Sequence, residues 1–145
     1  MSLDRADGEA LFGLLEDPGT AAAFFDRVAD DVNWTVMGTH PLAGTYTSKA
    51  AFTHATFDRL TPLMRSGVRL HLQRLFLDGD TMIAELLARS TTVEGAAFDN
   101  HYCWVCRFEG ERIVEVRAYL DSAMVAYTVD RNERRATRTE VLRNG

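Results

Sequence analysis

The sequence predicts an α+β domain, a curved antiparallel sheet with N-terminal helices packed on its concave face. Apolar residues recur at helical spacing as far as about residue 64, and from residue 68 the period changes to two. Asp78-Gly79, Glu94-Gly95 and Glu109-Gly110 then punctuate the alternating half at hairpin intervals. Helices first and a meander afterwards place the helices on one face of the sheet. The chain has 145 residues, 46% of them hydrophobic and 26% charged, which suits a single packed domain.

The elements follow in order. Residues 5–15 carry Leu11, Phe12, Leu14 and Leu15 at helical spacing, and Asp17-Pro18-Gly19 ends the pattern. Thr20 is read as the cap of a second helix over 21–29, with Phe24, Phe25 and Val28 on one face. Residues 32–37 read as a short strand and Gly38-Thr39-His40-Pro41 as a loop. Ser48 caps a third helix reaching residue 64, striped by Phe52, Phe57 and Leu60. Strands are expected over 68–77, 81–93, 98–108 and 112–120, and Asp121 caps a closing helical turn through Val125. The domain is thus placed at 1–129, with 130–145 as a charged tail in which arginines and acids alternate.

Composition narrows the function classes. A net charge of −5 argues against nucleic acid as partner, because phosphate binding needs clustered Lys and Arg. No stretch approaches the roughly 18 apolar residues of a membrane span. Met1-Ser2-Leu3-Asp4-Arg5 runs straight into an acidic amphipathic segment, unlike a signal peptide, so no membrane partner and a cytoplasmic location are expected. Cys103 and Cys106 have C-x-x-C spacing but lie in an aromatic, β-branched run. Residues three apart on a strand point to opposite faces, so the thiols cannot converge on a disulfide or a metal. Four scattered histidines with no i, i+4 pair supply no metal site, and no cofactor is expected.

Trp34-Thr35-Val36-Met37-Gly38-Thr39-His40-Pro41-Leu42-Ala43-Gly44, followed by Tyr46, Lys49 and Phe52, resembles the first-strand signature of the SnoaL-like polyketide-cyclase relatives. Asp99-Asn100-His101-Tyr102 and the run from Arg107 to Asp121 resemble the last hairpin of that family, within the NTF2-like and ketosteroid-isomerase-like superfamily. The resemblance implies a cone with a deep apolar cavity between helices and sheet, in a homodimer. It does not imply one chemistry, since a single fold hosts many. Ketosteroid isomerases use an Asp base and a protonated Asp; the matching positions here are Val36 and Trp104. Limonene-type epoxide hydrolases and many SnoaL-like relatives carry a carboxylate where Ala118 stands.

The family register turns Asn100, Tyr102, Trp104 and Cys106 toward the cavity, with Val114, Val116, Ala118 and Leu120 beside them and Ile83, Glu85, Leu87 and Arg89 on the neighbouring strand. A one-residue slip would instead turn Met82, Ala84, Leu86 and Ala88 inward. An inward Glu85, desolvated among aromatics, would suit general acid or base work. His40, at the cavity mouth, would shuttle a proton or else support the turn before Pro41. Trp34, Val36, Arg89, Asn100, Tyr102, Trp104, Val116 and Ala118 complete the expected ligand site. Two functions fit: a cofactor-free isomerase, cyclase or lyase acting beside a carbonyl, with Glu85 as acid/base, or a non-catalytic protein that binds a small apolar molecule. A homodimer through the outer sheet face is expected, because Val105, Ile113 and Tyr119 alternate there with charged residues.

Overall fold

The computed structural model describes the backbone of residues 3–144 and the side chains of residues 3–133. Helix α1, Arg5–Gly13, opens on a capping box in which Asp4 and Asp7 satisfy each other's backbone N–H. Helix α2 is Pro18–Phe25, capped by Asp17 with Pro18 in its first turn. Thr20, the expected cap, instead donates its hydroxyl to Leu14 O and Asp17 O. Ser48 caps α3, Lys49–Ala55, as expected, but the helix does not run on to residue 64. Thr56 leaves the helical region and returns its hydroxyl to Phe52 O at 2.7 Å. The short α4, Phe57–Leu60, and a 3₁₀ turn, Thr61–Leu63, follow.

Six strands form one sheet: β1 Val28–Val36, β2 Gly44–Tyr46, β3 Leu70–Asp78, β4 Thr81–Thr91, β5 Ala97–Glu109 and β6 Arg112–Leu120. Their order is β2-β1-β6-β5-β4-β3. The meander β3–β6 is antiparallel, but β1 lies parallel to β6, a pair that the expected antiparallel sheet lacked. The chain leaves β1, passes through the helices and the meander, and returns beside it in the same direction. Gly79 and Gly110 take φ of +60° in their hairpin turns, where a side chain would be strained.

Two irregularities shift faces. Between Arg107↔Glu115 and Phe108↔Ile113 the β5–β6 register slips by one, leaving Val114 as the extra residue of a bulge. Ile113, expected on the outer face, is consequently fully buried, and Val114, expected inward, is only half-buried. In β1 the register shifts between Val28 and Asn33, and the strand begins at Val28, four residues before its expected start at residue 32.

The core fills the space between helices and concave face. Phe24 packs between Phe12, 5.5 Å away, and Trp104, 6.0 Å away. The closing turn proves to be a long helix, α5, Ser122–Asn144. Val125, Thr128, Val129 and Asn132 recur at i, i+3, i+4, i+7 and are buried, so packing carries this helix past the expected domain end at residue 129. Arg59 grips Glu133 with two bonds of 2.9 and 3.0 Å, and Arg131 bonds Glu94 at 2.6 Å. The side chains of the rest of the expected tail, 134–145, lie outside the described residues. No described helix is long and apolar enough to cross a membrane.

Candidate functional site

Under the mouth of the curved sheet lies a cavity of about 40 Å³. Strand β1 contributes Trp34 and Val36, and the loop after it His40 and Leu42. Helix α3 and its end contribute Phe52 and Thr56, and α4 contributes Phe57 and Leu60. Strand β5 supplies Tyr102 and Trp104, β6 supplies Ala118 and Leu120, and α5 closes over them with Val125. Room for one or two waters at ~30 Å³ each means that a ring-sized ligand must part these side chains to enter.

The floor is aromatic. Trp34 lies flat on Phe52, ring centres 3.8 Å apart, and meets Trp104 edge-on at 5.1 Å. Trp104 in turn meets Tyr102 edge-on at 6.5 Å. Trp34 is 0% exposed, and its Nε1 has no hydrogen-bond partner among the described residues. A buried donor left unpaired costs about 1–3 kcal/mol.

The other polar groups have assigned work. His40 accepts the Leu42 N–H at Nδ1 (3.1 Å), which leaves Nε2 to donate to Met37 O (3.1 Å). Both ring nitrogens are therefore spent on the loop, and burial lowers the ring's pKa, so His40 is a neutral turn support with no nitrogen facing the cavity. Gly38, at φ +119°, keeps this loop close to α5, since any Cβ would collide with Ser122 Oγ. Asn100 is fully buried; its Oδ1 accepts Asp121 N–H at 3.0 Å and its Nδ2 donates to Asp121 O at 3.4 Å. It pins the start of α5 rather than lining the cavity. Thr56 gives its proton to Phe52 O. Burial pushes the Tyr102 phenol up while Asn100 partly opposes it, so Tyr102 is a neutral hydroxyl near physiological pH.

The register of β4 overturns part of the expected site. Ala84 faces Trp104, Leu86 faces Tyr102 and Ala88 faces Asn100, so these share the concave face. Glu85 pairs with Cys103 and Arg74, and Arg89 with Asp99, on the convex face. Met82, Ala84, Leu86 and Ala88 are buried, because an apolar row gains far more from the core than Glu85 and Arg89 would. Glu85 instead acts on Cys103, whose thiol is pushed up by burial and by that carboxylate. Cys106 is buried on the other face, so the two thiols do point apart. Val116, paired with Trp34 and Cys106, is buried in the core behind the cavity wall. Phe52, Leu60 and Val125 were the main lining residues that site reasoning missed, although the sequence already showed the first two as an apolar helix stripe. Among the described residues no group of His, Cys, Asp or Glu is arranged to hold a metal.

The SnoaL-like domain model matches residues 9–116. The chain belongs to the SnoaL-like family. A curated relative is the dimerizing cyclase phiC of Fungal sp. (strain ATCC 74256), 31% identical over 116 residues, covering 77% of this chain and 51% of that one. This SnoaL-like chain thus spans about half the length of that relative. Among solved structures, an NTF2-like protein of Burkholderia thailandensis E264 is 27% identical with a TM-score of 0.65, covering 81% of this chain and 95% of that one. A cystatin-like-fold protein of Xanthomonas campestris is 18% identical with a TM-score of 0.71, over 87% and 98% of the two chains. A ketosteroid-isomerase-like-fold protein of Catenulispora acidiphila, solved in complex with trimethylamine, is 14% identical with a TM-score of 0.61, over 89% and 95%. The last two show the shared fold.

Val36, Ala118 and Trp104, the positions at which the sequence resemblance led to an expectation of missing carboxylates, are neighbours in the sheet. Val36 pairs with Ala118, which pairs with Trp104, making one continuous apolar patch.

The His40 ring should titrate below the ordinary 6.5 by NMR. Its depressed pKa means that the folded state binds fewer protons, so its contribution to stability is complete above about 6.5 and is lost as pH falls from there toward the folded pKa. A midpoint above 6.5 would show that His40 is not the neutral turn support.

Proposed function

We propose that this SnoaL-like domain binds a small, largely apolar molecule in the concave cavity, and that binding rather than side-chain proton transfer is its central task. The lining carries the reading: apolar and aromatic walls, two neutral donors in Trp34 and Tyr102, and no carboxylate among the described lining residues. Such a site gains affinity from desolvation and orients its guest through few polar contacts.

A second reading follows from the likeness to a dimerizing cyclase. In a cyclase, the apolar wall folds the substrate so that its reacting atoms meet, and a donor polarises the carbonyl. Under this reading Tyr102, a lining residue held neutral by burial, takes that role. The outer face supports a homodimer: half-buried Ile83 and Val105 and exposed Tyr119 form an apolar centre, flanked by His101, Arg107 and the Arg117–Glu115 pair at 2.9 Å.

Native mass spectrometry of freshly purified protein should reveal a co-purified apolar molecule, released on denaturation. Leu120→Trp, which fills the cavity at an overpacking cost of about 1–3 kcal/mol, should abolish this carry-over, while Glu85→Gln should retain it. Retention by Leu120→Trp together with loss in Glu85→Gln would move the site to the convex face. Sedimentation at tens of micromolar, on the order of the concentrations at which specific interfaces hold, should give a dimer, and a monomer there would remove the dimer proposal.

A further inference from the structure

We infer that the indole N–H of Trp34 reads the ligand, selecting apolar molecules that carry a neutral oxygen acceptor such as a ketone, aldehyde, ester or ether. This deepens the proposed binding function and rests on it. Trp34 lines the cavity, is wholly buried, and has an Nε1 without a partner among the described residues. An indole nitrogen only donates. Phe52 is stacked on the indole face at 3.8 Å, out of the plane of the N–H, and Trp104, edge-to-face at 5.1 Å, offers at best a weak π acceptor.

The acceptors nearby are committed. His40 Nδ1 takes the Leu42 N–H and Thr56 Oγ1 is turned to Phe52 O. Tyr102 makes no hydrogen bond to Trp34 Nε1, which has no partner among the described residues. The partner for Trp34 must therefore arrive with the ligand. That partner is neutral, because no Arg or Lys belongs to the described lining, and a carboxylate would be buried without a counter-charge. An unpaired Trp34 N–H at the wall of an apolar slot distinguishes a carbonyl compound from a hydrocarbon of the same shape. A site built on a hydrogen bond rejects the analogue that lacks the bonding atom more sharply than an apolar pocket rejects a missing methylene.

Acetophenone and α-methylstyrene test this, since C=O in one replaces C=CH₂ in the other with little change of shape; benzoate supplies the charged arm. In the unaltered protein labelled with ¹⁵N, the Trp34 indole proton should move downfield with acetophenone and not with α-methylstyrene, while Trp104 does not discriminate. Benzoate should not bind. In Trp34→Phe the preference for acetophenone over α-methylstyrene should fall by roughly tenfold, the worth of one buried hydrogen bond. Both neutral probes binding with identical Trp34 shifts would overturn the inference and leave the cavity reading intact. Neither neutral probe binding would overturn both. Benzoate binding with the Trp34 shift would overturn the restriction to neutral acceptors.

Discussion

Trp34 lying on Phe52 at 3.8 Å ties the first strand to the helix above it, and the concave face is organised around that contact. Stacked rings bury a large apolar area in a fixed orientation, which holds α3 at a set height over the sheet. Trp104 closes against the edge of the same pair, and Phe24 bridges from Trp104 to Phe12 in the N-terminal helix. One aromatic chain thus connects three helices to two strands. The cavity is the space that this chain leaves unfilled beneath α5.

Polar groups around the cavity divide into those that hold the fold and those left over. His40 fastens its own loop, Asn100 fastens the β6–α5 junction, and Thr56 ends a helix. Each would look functional from its residue type alone. Their hydrogen bonds inside the protein consume the capacity that chemistry would need. What remains is the Trp34 N–H, with the Tyr102 hydroxyl beside Trp104. Two donors without a base suit holding an oxygen atom rather than removing a proton from carbon.

Much of this architecture was legible in the sequence. Residues 112–120 emerge with their expected bounds as β6, and the acidic-glycine pairs do mark the hairpins. Period two is a strong signal when glycine turns bracket it. The register of β4 was legible too, in the apolar row Met82, Ala84, Leu86, Ala88, but the family resemblance pointed one residue away and moved Glu85 and Arg89 to the wrong face. Hydrophobic pattern decided the register, as a core requires. The bulge at Val114 was not legible, because an extra residue in one strand leaves no compositional mark. Helix α5 was hidden by its charges: Val125, Thr128, Val129 and Asn132 make a narrow buried stripe in a segment that otherwise reads as solvated. The spent nitrogens of His40 depend on backbone geometry that residue types do not announce.

Val36, Trp104 and Ala118 are contiguous on the concave face. The central claim is that this apolar face, and not the face bearing Glu85, receives the ligand. A crystal structure of the acetophenone complex tests it most directly. The account predicts the ring between Trp34 and Val125, with its oxygen about 2.9 Å from Trp34 Nε1. Density for the ring on the convex face beside Glu85 and Cys103, with the aromatic cavity unchanged, would contradict it.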